Sequence, residues 1–229
     1  EDFQLLFYII QPPTPERVKY DIFDRVNRGG TPLNKQEMRN ALYRGRCTRM
    51  LDKLCCSPEF LIATGRSINK ERMKDQYVVL RAMAFLMLHR GEFKDIPALQ
   101  YRGDIDDFLA RFMVYVNDNA PEKLIVDYEN LFIRCMQISY DLLGENGFRF
   151  SGNGIRRPIN MPLFEALSYL FSFVPEKIDY TWASRLILDI ESVKEEFDDS
   201  RYFSGNIDST TSVSFRFDRM DKIINRIQL

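Results

Sequence analysis

The chain has 229 residues, is 45% hydrophobic and 28% charged, and carries a formal net charge of -1; it is long enough to bury a core without disulfides or a metal. That balance excludes a disordered chain, and the total charge marks neither a polyanion binder nor an acidic solvating protein. Charge is instead segregated: eight basic residues against two acidic ones lie between Arg25 and Lys53, and eight acidic against three basic between Glu176 and Ser200.

Phe3 to Ile10 (FQLLFYII) is short, aromatic and β-branched, and Pro12 and Pro13 stop it, so it reads as a buried strand. One strand needs partners, and later candidates are scarce. Its sheet is expected to lie mostly upstream of Glu1.

Thr14-Pro15 is an N-cap and first-turn pair, and Val18, Ile22 and Val26 recur at helical spacing until Gly29 and Gly30 end the helix. Asn34 then caps a helix from Lys35 to about Tyr43, with Glu37 completing a capping box and Leu33 and Met38 the flanking apolar pair. Ser57-Pro58 starts a short helix that Gly65 ends, and a longer one is expected from about Lys70 to His89.

Stripes at Ile105, Phe108, Leu109, Phe112, Met113 and Val116, and at Leu124, Tyr128, Leu131, Cys135, Ile138 and Leu142, mark two amphipathic helices. Gly144 to Pro162 reads as a long loop with a short extended piece. Helices resume at Leu163 to Val174, Ile178 to Phe197 and Val213 to Ile227.

The four cysteines lack zinc-ligand spacing and read as reduced and buried. The longest apolar run, Tyr77 to Leu88, is too short to span a bilayer and is broken by Arg81, and no signal peptide opens the chain, so a cytoplasmic protein is expected. Arg81 interrupts an apolar face, and a buried arginine requires a carboxylate partner.

Much catalytic chemistry is poorly served. Hydrolases with a histidine base, zinc peptidases and histidine-containing nucleases need positioned imidazoles, and His89 is the single histidine, at the end of an apolar helix. There is no Walker-type loop or dinucleotide fingerprint. Glu92 and Lys94 have the spacing of a metal-dependent nuclease fragment, but in a loop with no strand to carry it.

Phe23 to Gly45 (FDRVNRGGTPLNKQEMRNALYRG) joins two helices through a Gly-Gly turn and directs Arg25, Asn27 and Arg28 toward the helix N-terminus capped by Asn34, where free amides and the helix dipole favour an anion. The simpler reading is a capped helical hairpin with solvated arginines. The string resembles the signature of domain-of-unknown-function family two-hundred-sixty-two, which includes the specificity subunit of GmrSD-type modification-dependent restriction systems; Phe23, Arg25, Asn27, Gly29, Gly30, Leu33, Asn34, Gln36, Glu37, Arg39 and Asn40 match it. Arg72 to Phe85 (RMKDQYVVLRAMAF) and Asn160 to Phe171 (NMPLFEALSYLF) resemble that family too.

The resemblance implies a mainly α chain: a remnant of a ParB/sulfiredoxin-like α/β nucleotide-binding domain over residues 1–45, carrying the short strand-helix element, then a helical domain over 46–229. It implies a role in bacterial defence against foreign DNA, with NTP and Mg as cofactors only together with a missing N-terminal lobe and otherwise none, and DNA and a nuclease domain or subunit as partners. By similarity to the ParB-type site, Asn27 and Glu37 would face nucleotide or metal, and Arg25, Arg28 and Arg39 phosphates. Arg44, Arg46 and Arg49 extend the basic stretch, and Arg156 and Arg157, near Arg149, form a second basic cluster suited to a nucleic-acid backbone. The family's Asp-Gly-Gln-Gln-Arg loop, tied to nucleotide hydrolysis, does not occur in the 229 residues. A reading from another class is a helical interaction module that self-associates or docks a protein partner through its oppositely charged segments, without membrane contact.

Overall fold

The computed structural model describes residues 9, 11, 14, 16–27, 32–151, 155–175, 177, 179–200 and 202–227. Among these residues there are ten α-helices and no strand: α1 Glu16–Val26, α2 Lys35–Leu42, α3 Arg46–Cys55, α4 Pro58–Ala63, α5 Lys74–His89, α6 Ile105–Asp118, α7 Glu122–Leu143, α8 Met161–Phe171, α9 Tyr180–Asp198 and α10 Thr210–Ile227. The expected Phe3 to Ile10 strand falls almost wholly outside the described residues.

Helix α5 is buried from Val78 through Met87, and α8 from Pro162 through Phe171. Helices apolar all round belong in the interior, and these two pack on each other as the central pair. Around them, α3, α6 and α7 cover one side with their amphipathic faces, α10 packs on α8, and α9 lies against α7 and α10. Each fully buried Leu or Phe in this core contributes roughly 1.5–3 kcal/mol. None of the described helices is long and apolar enough to cross a membrane.

Local chemistry sets the helix ends. Asn34 accepts hydrogen bonds from the Gln36 and Glu37 amides, and the Glu37 carboxylate accepts one from the Asn34 amide at 2.6 Å, completing the expected box. The apolar pair flanking it is uneven, since Met38 is buried while Leu33 is exposed. The turn from α2 to α3 requires a residue without a side chain: a Cβ on Gly45 would stand 2.6 Å from Asn117 Oδ1. Asn117 fills that space because it accepts from the Cys47 amide at 2.9 Å and donates to the Tyr43 carbonyl at 2.9 Å, pinning the turn to α6.

Several expected boundaries move. The helix anticipated from Lys70 begins at Lys74, after a 3₁₀ turn, Glu71–Met73, in which Arg72 and Met73 both adopt left-handed backbone with φ of 55° and 58°. Two such residues in succession cost about 1–3 kcal/mol each unless neighbours hold them. Asn160 caps α8, which begins at Met161, two residues before the expected start, and α10 begins at Thr210 rather than Val213. Between Gly144 and Pro162 the described residues form a 3₁₀ turn and irregular chain, without the extended piece. Cys47, Cys55 and Cys135 are buried, but Cys56 is exposed, because α3 ends at Cys55 and the next residue turns outward.

Candidate functional site

The signature segment is used chiefly inward. From Arg39 a head-to-tail chain runs across three helices: Arg39 Nε donates to Gln36 Oε1 at 3.1 Å, Gln36 Nε2 to Asn40 Oδ1 at 2.8 Å, Asn40 Nδ2 to Gln76 Oε1, and Gln76 Nε2 to Asp52 Oδ1 at 2.7 Å. At its other end Arg39 Nη1 donates to Asp106 at 2.8 Å, and Lys35 pairs with the same carboxylate. Each amide donates forward and accepts from behind, an arrangement in which successive bonds polarise one another. It fastens α2 to α3, α5 and α6 across the boundary expected at residue 45.

This arrangement overturns one expectation. Arg39 is 1% exposed and bonded to Asp106 and Gln36, so its guanidinium is committed to the interior and cannot face a bound phosphate. Burial would raise the Asp106 carboxyl, but Lys35 and Arg39 outweigh it and hold it below the usual range.

Glu37 is engaged as well. Arg72 Nη2 binds its carboxylate at 3.0 Å and the Pro32 carbonyl at 2.6 Å, while Asn34 Nδ2 holds the Arg72 carbonyl at 2.7 Å. These bonds hold Arg72 in its left-handed backbone. The Arg72 hydrogen bond, followed by that from the Asn34 amide, lowers the Glu37 carboxyl below its ordinary value. Asn27 reaches the same neighbourhood through a 3.4 Å bond to the Leu33 carbonyl; Arg28 lies outside the described residues.

The other cations divide into paired and open. Arg46 binds Glu122 at 3.0 Å and the Ala120 carbonyl at 2.8 Å, and Lys53 pairs with Glu129. Arg156 binds Glu145 at 2.8 Å, and Arg157 pairs with Asp198 with its guanidinium over the Phe150 ring at 5.4 Å. Arg25, Arg44 and Arg49 are exposed, and none takes part in an ion pair among the described residues.

A second network lies deeper. Arg81, at 1% exposure, binds Glu165, and also Asp208 at 2.6 Å and the Tyr77 hydroxyl at 3.1 Å. Arg216, fully buried, binds the other Glu165 oxygen at 2.9 Å and the Ile207 carbonyl at 2.6 Å. Arg81 thus has the carboxylate its burial requires. Desolvation would lower the Arg81 guanidinium, yet Glu165 and Asp208 raise it well above the usual range; desolvation prevails at Arg216 and lowers it.

The remaining acid-base candidates are similarly occupied. His89 stacks on Phe217 at 3.5 Å and 9°, and burial, aided by Arg216, pushes its imidazole down to about 3. Such a ring stays neutral at physiological pH. Glu92 accepts from the Tyr128 hydroxyl at 2.8 Å. Among the described residues no three His, Cys, Asp or Glu side chains converge as metal ligands. Glu37 and Arg39 are thus both engaged within the fold.

Compared with protein-family models, with curated proteins and with solved structures, the chain shows no match.

Proposed function

We propose that this chain is a binding module without its own catalytic centre: the helical part of a restriction-type defence protein, which engages the DNA backbone and positions it for a nuclease partner. The observation that supports this best is the division among its arginines. Arg39, Arg46, Arg81, Arg156, Arg157 and Arg216 each have a carboxylate partner, whereas Arg25, Arg44 and Arg49 are exposed with none among the described residues. Exposed cations free of intramolecular pairs are those that neutralise phosphates and release counterions. NTP hydrolysis is not assigned to these 229 residues, which lack the Asp-Gly-Gln-Gln-Arg loop.

Fluorescence anisotropy with labelled duplex DNA over a range of salt concentrations tests this. Wild-type affinity falls steeply with salt, and Arg44→Glu with Arg49→Glu weakens binding and flattens the log-log slope by about 2, one per lost phosphate contact. Equal slopes in the two proteins contradict the assignment. A second reading, docking of a protein partner, is favoured by Val18 and Ile22, which α1 leaves 41% and 37% exposed; such binding is insensitive to salt.

A further inference from the structure

Residues 145–151 and 155–157 and α9 border a recess of about 590 Å³, lined by Arg149, Arg156, Arg157 and Lys194 and, among the described residues, by two carboxylates, Glu145 and Glu191. Two of its cations are structural parts of the wall. Lys194, 4% exposed, holds Glu191 at 2.9 Å and the Asn146 carbonyl at 3.4 Å.

Arg149, also 4% exposed, donates among the described residues to uncharged oxygens alone: the Glu145, Arg157 and Thr64 carbonyls and the Ser67 hydroxyl. These take four of its five N–H donors and leave its charge uncompensated by contact. Burial, and then the nearby Arg156, lowers this guanidinium below the ordinary arginine range.

The rim is built differently. Arg157 is drawn off to Asp198, and Arg156 is held by Glu145. This second pair lies directly on the backbone where α4 ends, since a Cβ on Gly65 would fall 2.0 Å from Arg156 Nη2 and 2.7 Å from Glu145 Oε2. Arg156 and Glu145 remain about half exposed, at 46% and 52%, so burial locks neither partner of the pair in place.

We propose that the recess binds a terminal phosphate group, which takes the place of the Glu145 carboxylate beside Arg149 and Arg156. Charge selects the ligand. With Glu145 displaced, two guanidinium charges face the site, and a terminal phosphate carries about -1.5 to -2 at neutral pH. Its oxygens also suit the planar arginine fork. Glu145 is then a resident competitor that keeps affinity low until a dianionic ligand arrives. The site is separate from Arg25, Arg44 and Arg49 and does not depend on the backbone-binding role of those residues.

Isothermal titration of the full chain with inorganic phosphate tests the proposal, with thermal unfolding confirming that each variant is folded. Glu145→Gln, which removes the competing charge, is expected to tighten phosphate binding about tenfold, and Arg156→Ala to weaken it about tenfold or more. A second arm compares a 5′-phosphorylated oligonucleotide with its 5′-hydroxyl counterpart. Preference for the phosphorylated strand identifies a nucleic-acid end as the source, and equal binding of the two strands alongside saturable binding of inorganic phosphate identifies a free phosphate. Absence of saturable phosphate binding in both wild type and Glu145→Gln, or folded Arg156→Ala that binds as wild type does, overturns it.

Discussion

The two polar networks solve the burial of arginine in different ways. At the centre, Arg81 and Arg216 share Glu165, whose carboxylate is fully buried, and Asp208 completes the group. At the α2 seam, Arg39 has one partly exposed carboxylate and then a chain of neutral amides. The networks meet at Tyr77, which has Arg39 over its ring at 5.3 Å and Arg81 at 5.6 Å. Removing one partner of a buried ion group strands a charge and costs about 3–5 kcal/mol, whereas removing one link of a neutral amide chain costs about 1–3 kcal/mol. The centre is therefore brittle and the seam compliant.

The largest expected effect is at the centre. Glu165→Ala leaves Arg216 without its carboxylate and Arg81 with Asp208 alone, and should cost about 3–5 kcal/mol, measured by urea unfolding. A loss below about 1 kcal/mol means that the centre relaxes or hydrates as the seam does.

Acid titration probes the same region. His89 is held near 3 in the fold against about 6.5 unfolded, so the unfolded state takes up its proton first. The contribution is full above pH 6.5 and is lost progressively as pH falls toward 3, amounting to about 4 kcal/mol at the bottom of that window. His89→Phe, which keeps the stack on Phe217, should flatten this limb of the stability-pH curve.

At the seam the effects shrink. Gln76→Ala interrupts the chain between Asn40 and Asp52 and is expected to cost about 1–2 kcal/mol. Arg72→Ala breaks the exposed pair with Glu37, itself worth about 0–1 kcal/mol, and removes the side-chain bond that holds the left-handed turn before α5. Charge reversal at Arg44 and Arg49 should change stability by no more than about 0.5 kcal/mol while altering DNA affinity, which separates binding from folding.

The same contrast explains what was legible in the sequence. Periodicity and caps are local, and so the helices other than α3, and the Asn34 and Ser57-Pro58 starts, could be read directly. The need of Arg81 for a carboxylate was also readable. Its identity was not, because Glu165 lies 84 residues away inside an apolar run that otherwise reads as plain core. Arg39 misled for the same reason: a basic residue on a charged helix looks solvated, and only the fold brings Asp106, 67 residues distant, against it. The left-handed Arg72 and Met73 carry no glycine signal, since Asn34 and Glu37, from another segment, hold the turn. In the recess, the arginines were visible as a cluster, but Lys194 and Glu191 reach it from α9 across the fold.

The polar residues of α2 clamp it to the helical body. A double-mutant cycle on Asn40→Ala and Gln76→Ala, read by equilibrium unfolding, tests this most directly. A coupling energy of about 1 kcal/mol or more between the two residues is expected; additivity to within about 0.5 kcal/mol means that the two amides do not act as one clamp.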